Sequence, residues 1–475
     1  MPELCFCAAN VTRIIQGLSQ GDVDRLRLSW LNRPFVFNRI GPLELKDLTR
    51  PLGFDNITAL AAPIARSACT PKISVLMPAY NAEKTIGLAI ESIVTQSWTN
   101  LELIVVDDSS TDGTGAIILS YAQKDSRIKP MRHEVNRGAY AARNTALGQA
   151  AGDFVTVNDA DDWSHPQRLA LQAEHLQLTD VALNTTTSIR VGPDLHVEVT
   201  SRAEMMRESF PSLMTRRQCA LNVGGWDQVR MSADAEFYAR LLAAYQQSKA
   251  PVLQDVPLMA QLKRDDSLTG APYIGRSTTK FGARREYAEA YTYWHGLGLA
   301  GGAAQLKLSG DRRSFPVPSI CKVGAPRCRQ YDILWVSDFS RPGIASSINM
   351  IRAAKELGLR SACFHWPRLE FAGGQVDLRV RQLIHEEVID SVVAGERLTC
   401  SLVIAKDMSF LMHVPDVLPK VRTRAGVILV DERPETSSFD GKTVCNLRDA
   451  IENACRVFGV TPTLAPASPL SLIHI

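Results

Sequence analysis

Three apolar runs, each ending in a cluster that carries polar side chains, constrain this chain more than any other feature. "ISVLM" (73–77) runs into Pro78-Ala79-Tyr80-Asn81, "LELIVV" (101–106) into Asp107-Asp108-Ser109-Ser110, and "FVTV" (154–157) into Asn158-Asp159-Ala160-Asp161-Asp162. Helical patterns lie between them. Ile86, Ala89, Ile90, Ile93 and Val94 recur at i, i+3, i+4, i+7 and i+8, the spacing of one helix face. Asn81 stands where an N-cap is expected. "GAIILSYAQ" and "GAYAARNTALGQA" predict two further helices. Strand and helix alternating at this spacing predict an α/β fold, a mostly parallel sheet with helices on its faces. Ligands of such sheets bind beyond the C-terminal ends of the strands. The polar clusters fall there.

The third cluster places Asp159, Asp161 and Asp162 within four positions. Anions packed a few ångströms apart repel unless water or a cation intervenes. An oxygen-only set suits hard ions such as Mg²⁺ or Mn²⁺. The plain alternative is a turn, since Asp and Asn side chains bond nearby backbone groups. Asp162 is expected to cap the helix read from "WSHPQRLALQAEHL", with Pro166 near its start.

Bulk properties narrow the classes. A chain of 475 residues predicts two to four domains. With 53 basic against 50 acidic residues, net +3, nothing supports general nucleic-acid binding. Ten scattered cysteines without a Cys-x-x-Cys pair argue against zinc and for reduced thiols in the cytoplasm. The N-terminal "MPELCFCAANVTRII" lacks a basic region and an apolar core, so no signal peptide is expected. No apolar stretch reaches about 18 residues, so no membrane span is expected. Peripheral membrane contact stays open.

Residues 1–70 predict small amphipathic helices at "VTRIIQGL" and "VDRLRLSWL", then a turn-rich connector through "NRPFVFNRIGPLELKDL". Beyond about 305 a Pro-rich basic linker is expected to 330. A new α/β unit, Rossmann-like, then opens at Tyr331, with strands "DILWVS", "SLVIAKD" and "AGVILVD" and a helix stopped at Gly358.

The motifs "PKISVLMPAYNAEKTI", "LELIVVDDSSTDGT", "NRGAYAARNTAL", "GDFVTVNDADDWSHPQRL" and "GGWDQVRMSADAEFYARL" span about 170 residues. Together they closely resemble the GT-A domain of family 2 glycosyltransferases, here 71–305. The resemblance implies that Tyr80 and the backbone near Pro78 hold the nucleobase, while Asp107 and Asp108 hydrogen-bond base and ribose. It implies that Arg143 faces the nucleotide. It also implies that Asp159, reaching ribose and metal, and Asp161 hold Mn²⁺ or Mg²⁺ against both phosphates. Asp234 aligns with the general base. The family's preceding glutamate is here Ala233, which puts acceptor positioning in doubt; Asp227 and Glu236 are alternative bases. "DDSLTGAPY" resembles the family's closing loop. Residues 331–475 weakly resemble the first half of a GT-B glycosyltransferase, an incomplete second module to which no active residues are assigned. Gly343 there is expected to be an ordinary loop glycine, and His365 and His385 structural. Tyr287, Tyr291 and Trp294 are expected to pack in a core.

The expected activity is metal-dependent, inverting transfer of a hexose from a nucleoside-diphosphate sugar, with UDP as carrier. The acceptor is a hydroxyl of a polysaccharide, lipid-linked glycan or protein. The expected location is cytoplasmic, with possible peripheral contact at the inner face of the membrane. Two rivals are a nucleotidyltransferase, for which "MPAYNAEKTI" lacks the Gly-rich basic loop, and a non-catalytic nucleotide-sugar-binding scaffold, supported only by the loss at Ala233.

Overall fold

The computed structural model describes residues 2–59, 61, 70–200, 203–263, 272–301, 306–308, 313–325, 328–340, 344–368, 373–406, 409–430 and 446–466. Gly343 and most of "DDSLTGAPY" lie outside these. The chain divides into two units, Met1–Ser267 with Gly298–Ser309, and Leu268–Leu297 with Gly310–Ile475.

The first unit begins with α1 (Pro2–Thr12) and α2 (Gln20–Phe37), then a small ribbon of β1 (Leu43–Leu45) and β2 (Ile57–Ala59). The alternation follows: β3 (Ile73–Ala79), α3 (Ile86–Val94), β4 (Leu101–Asp107), α4 (Thr114–Lys124), β5 (Ile128–Arg132), α5 (Ala139–Gln149) and β6 (Phe154–Val157). Next come β7 (Asp162–Ser164), α6 (Arg168–Leu178), β8 (Leu183–Val191), β9 (Met206–Arg216), α7 (Arg217–Asn222), α8 (Ala233–Ala244) and β10 (Val252–Leu262). The eight-stranded sheet runs β5-β4-β3-β6-β9-β8-β10-β7. It is parallel except where β9 opposes β6 and β8, and where β7 opposes β10. β3 and β4 are buried along their whole length, as strands covered on both faces must be.

Two apolar clusters hold this unit. One joins β3 and β4 to Ile86, Ala89, Ile90 and Ile93 of α3 and to Leu169, Ala173 and Leu176 of α6. The expected apolar face of α3 is therefore its buried face. The other joins Phe6, Leu31 and Phe35 of the N-terminal helices to Trp163, Ile189, Val191, Leu258 and Ala260.

Three local expectations are corrected. "VTRIIQGL" is not a helix, because α1 lies upstream and ends at Thr12, leaving Ile14 and Ile15 exposed. The expected connector at 32–48 continues α2 through Pro34 to Phe37 and then forms β1. Asn81 does not cap α3, which starts at Ile86 after Thr85. Asn81 adopts a left-handed φ of 47°, and its Oδ1 accepts from the Thr111 N–H at 2.9 Å. Its side chain links two strand-end loops instead of ending a helix.

The second unit contains α9 (Ala283–Gly301, its last residues grouped with the first unit), β11 (Arg329–Ser337), α10 (Ala345–Glu356), β12 (Ser361–His365) and α11 (Leu378–His385). It continues with β13 (Asp390–Val392), β14 (Arg397–Lys406), β15 (Lys420–Val430), α12 (Leu447–Phe458) and β16 (Thr463–Pro466). Its six strands are all parallel, in the order β13-β12-β11-β14-β15-β16. Leu334, Val336 and Phe364 serve a cluster on one face, while Trp335 and Cys363 serve one on the other, the alternation of a sheet covered on both sides. Tyr287, Trp294, Phe315 and Cys321 are buried within the same unit. The eight described cysteines are all free thiols. Among the described residues, no helix is long and apolar enough to cross a membrane.

Glu102 ties the N-terminal edge of the first sheet together. It is buried on β4, accepts from Lys72 Nζ at 2.8 Å, Lys129 Nζ at 2.5 Å, Ser74 Oγ at 2.6 Å and the Ala151 N–H at 2.7 Å. Burial alone would raise its pKa, but these donors bring it down to about 2. A carboxyl depressed in the fold stabilises above its unfolded pKa and loses that contribution as pH falls through the folded one. Glu102→Gln is expected to cost about 3 kcal/mol at neutral pH. It should also flatten the fall in stability between about pH 5 and pH 2. Urea denaturation across that range measures both.

Candidate active site

The site forms at the C-terminal ends of β3, β4 and β6, and the polar residues there have different duties. Asp107 ends β4. Its Oδ1 accepts from the Ser110 N–H at 2.8 Å and its Oδ2 from Arg132 Nη1 at 2.5 Å. Asp108 is the hinge of the next loop. Oδ1 accepts from the Arg137 N–H at 2.9 Å and lies 2.7 Å from His133 Nδ1, while Oδ2 accepts from the Gly138 N–H at 2.7 Å. His133 Nε2 lies 2.9 Å from Thr145 Oγ1. A carboxylate can only accept, so two backbone N–H groups and an imidazole converge on it. Asp108 thereby fixes the loop that launches α5.

α5 then delivers two side chains to the site. Arg143 is buried, and its Nη2 donates to Asp159 Oδ1 at 2.6 Å. Tyr140, one turn earlier, donates its hydroxyl to Asp234 Oδ1 at 3.1 Å. The Arg143 guanidinium sits 5.1 Å from the Tyr140 ring centre, within cation–π range. Burial works against its charge, but Asp159, Tyr140 and Asp234 together push its pKa upward. Asp159 follows β6 and Asp234 lies in the first turn of α8. One helix therefore gathers the acidic loop and the candidate base.

The acidic loop is shaped from beneath by Asn158, which no sequence signal singled out. Asn158 is fully buried, donates to the carbonyls of Asp159 and Asp162, both at 3.1 Å, and accepts from Ser164 Oγ at 2.6 Å. Asp162 is not a helix cap. It begins β7, paired with Gln261 of β10, and α6 starts only at Arg168. The strand wins because Trp163 must reach the apolar cluster under α2. The Asp162 carboxyl is pushed well above the usual range, first by burial and then by Asp161 and Asp159. Three carboxyls thus share one field, the condition under which a cation is favoured.

The remaining candidates are placed as follows. Tyr80 follows β3 half-exposed, at 50% of its free surface, and Pro78 lies within the strand. Glu236 is fully buried in an ion pair with Arg240 at 2.7 Å, and Arg240 also donates to the carbonyls of Val223 and Gly225. Glu236 is thus occupied in fixing the Gly224-Gly225-Trp226 turn and is not a free base. Asn144 of α5 clasps the same turn, accepting from the Trp226 N–H at 2.8 Å and donating to its carbonyl at 2.7 Å. A Cβ on Gly225, at φ 70°, would lie 2.4 Å from Asn144 Oδ1. Ala233 is completely buried, so a longer acid at that position would have to displace packed neighbours. Among the described residues no three His, Cys, Asp or Glu side chains converge to hold a metal by themselves.

Strand-end loops carrying acids on a mostly parallel sheet, with an antiparallel strand inserted beside the acidic loop, define a GT-A type domain. The family profile "Glycosyl transferase family 2" matches residues 74–236, and over this stretch the chain is similar to that family. The Escherichia coli enzyme "UDP-Glc:alpha-D-GlcNAc-diphosphoundecaprenol beta-1,3-glucosyltransferase WfgD" is 44% identical over 100 residues, 21% of this chain and 39% of the relative. The Bacillus subtilis "Uncharacterized glycosyltransferase EpsJ" is 27% identical over 253 residues, 49% of this chain and 72% of the relative. The chain therefore spans well under half the length of the first and most of the second. The solved structure "S. aureus TarS 1-349 in complex with UDP" is 25% identical, covering 40% of this chain and 60% of that one at a TM-score of 0.34, too low to decide anything here.

Asp108→Asn leaves one oxygen for three donors and sets an N–H₂ against one of them. It is expected to cost about 1–3 kcal/mol. Amide exchange at Arg137 and Gly138 should become at least about tenfold faster, while exchange in β11–β14 stays unchanged. Thermal melting and exchange mass spectrometry read these.

Proposed function

We propose that the first unit is an inverting glycosyltransferase that moves a sugar from a nucleoside-diphosphate sugar, with UDP as carrier, to an acceptor hydroxyl. The observation that carries this reading is the single helix α5, whose Arg143 holds Asp159 and whose Tyr140 holds Asp234. Donor-side and acceptor-side acids are thereby fixed to one rigid element. Pre-organised charge of this kind does not have to reorganise during reaction.

In this mechanism Tyr80 and the backbone at Pro78 receive the base, beside the loops that Asp107 and Asp108 shape. Arg143 sets the orientation of Asp159. Asp234, aimed by the Tyr140 hydroxyl, takes the proton of the acceptor hydroxyl as its oxygen attacks the anomeric carbon. The bond from that carbon to the diphosphate breaks on the opposite face, so the sugar inverts and the nucleoside diphosphate leaves. The all-oxygen set at Asp159 and Asp161, and the raised Asp162 beside them, fit Mg²⁺ or Mn²⁺. Such ions are commonly held by one or two carboxylates and completed by substrate phosphates. Bound there, the ion would neutralise charge growing on the leaving diphosphate.

The acceptor is a polysaccharide, a lipid-linked glycan or a protein. The name of the E. coli relative, which specifies UDP-glucose and a diphosphate-linked lipid acceptor, supports a UDP donor and the second of these. That reading places the protein in the cytoplasm, with peripheral contact at the inner membrane face when the acceptor is lipid-linked. The second unit is assigned no chemistry. A non-catalytic scaffold is the rival reading, supported by Ala233.

Incubating the full chain with Mn²⁺ and a panel of nucleotide sugars, with and without EDTA, tests the reading. One donor should be hydrolysed or transferred, and EDTA should abolish turnover. Asp234→Asn should retain nucleotide binding and lose transfer by about 10²–10⁴-fold. A scaffold would bind the nucleotide sugar without turnover in either protein.

A further inference from the structure

Beside the acidic loop stand two arginines that the chemistry above does not use. Arg190 lies on β8 and Arg207 on β9. Arg207 pairs with Ser188, Arg190 with Gln261 of β10, and Gln261 with Asp162 of β7. Ile189, Val191, Met206 and Leu262 pack in the cluster under the N-terminal helices. Strand alternation therefore puts Arg190, Arg207, Gln261 and Asp162 together on the opposite face.

These charges lack an ordinary partner. Arg207 Nη2 donates to the neutral Gln261 Oε1 at 2.5 Å, and Gln261 passes a 3.4 Å bond to Asp162 Oδ2. The Arg190 side chain makes no hydrogen bond among the described residues, and its Nε is buried and unsatisfied. No described carboxylate comes within 4 Å of either guanidinium, although Asp162 interacts with both through space and Asp234 with Arg207. Burial, then repulsion by Arg190, lowers the Arg207 pKa to about 10. Two half-buried like charges persist without a counterion only at a cost. A phosphate oxyanion matches the planar fork of arginine.

We propose that Arg190 and Arg207 bind a phosphate or diphosphate group of the acceptor. This rests on the transfer reading above and specifies its acceptor class: the hydroxyl that reacts belongs to a molecule carrying a phosphate ester nearby. The acceptor is favoured over the donor for two reasons. β6 separates β8 and β9 from β3 and β4, whose loops receive the nucleoside. Moreover, the charge of Asp234, which must meet the acceptor hydroxyl, acts on Arg207.

Titrating inorganic pyrophosphate into the full chain in metal-free buffer tests the site without knowing the acceptor. Wild type is expected to bind it. Arg190→Gln, which loses no hydrogen bond, and the double variant Arg190→Gln/Arg207→Gln should weaken binding at least about tenfold. Affinity for the nucleoside diphosphate with Mn²⁺, and the melting temperature of the single variant, should not change. In the transfer assay Arg190→Gln should raise KM for acceptor and leave KM for donor alone. Pyrophosphate affinity that ignores both substitutions would overturn the proposal. So would a parallel loss of nucleotide affinity in the single variant, which would move the pair into the donor site. Absence of donor turnover with arginine-dependent pyrophosphate binding intact would instead strike at the transfer reading alone.

Discussion

The arrangement of the first unit depends on one buried guanidinium. Arg143 is removed from water, which by itself disfavours its charge, and it is retained because Asp159, Tyr140 and Asp234 surround it. Removing one partner of such a cluster leaves an uncompensated buried charge, typically at a cost of about 3–5 kcal/mol. The cluster therefore acts as a geometric constraint. The loop after β6 and the first turn of α8 must both approach α5, although they lie far apart in sequence. Ala141, Ala142 and Ala146 on α5 are all buried, and small residues let a helix lie close to its sheet. Arg143 is thereby carried to the strand ends.

The acids of the site separate by what surrounds them. Asp107, Asp108 and Glu236 are closed by Arg132, by backbone N–H groups with His133, and by Arg240. They hold loops in place. Asp162 is buried against other carboxyls and is pushed toward its neutral form. Asp159 and Asp234 are partly open and each holds one side chain of α5. A carboxylate saturated by protein donors is scaffold; one left partly open is available for substrate or cation. Arg190 and Arg207 add the complementary case, positive charge with no described carboxylate in ion-pair contact.

Much of this was legible in the residues. The runs 73–77 and 101–106 announced β3 and β4, and the face Ile86-Ala89-Ile90-Ile93 announced α3, because burial on both faces of a sheet demands apolar runs and burial of one helix face demands its period. The polar clusters fell at strand ends for the same reason. Errors arose where local preference competed with a distant contact. Asn81 has a capping side chain, yet the Thr111 N–H of the neighbouring loop takes it. Asp162 precedes a helical pattern, yet pairing with Gln261 makes it a strand. The segment 32–48 contains Pro and Gly, yet Phe35 is drawn into a core with Trp163 and Leu258.

By itself the sequence determined periodicity, and with it the alternation of strands and helices and the position of acids at strand ends. Those depend on neighbours within a few residues. Only the tertiary structure decided what each acid does, because a carboxylate's role is set by its donors, and these come from elsewhere in the chain. Gly138 and Arg137 claim Asp108 across about thirty positions, and Tyr140 aims Asp234 across 94. The two arginines without an ion-paired carboxylate were equally invisible, since the lack of a contact is a property of the fold and not of any stretch of residues.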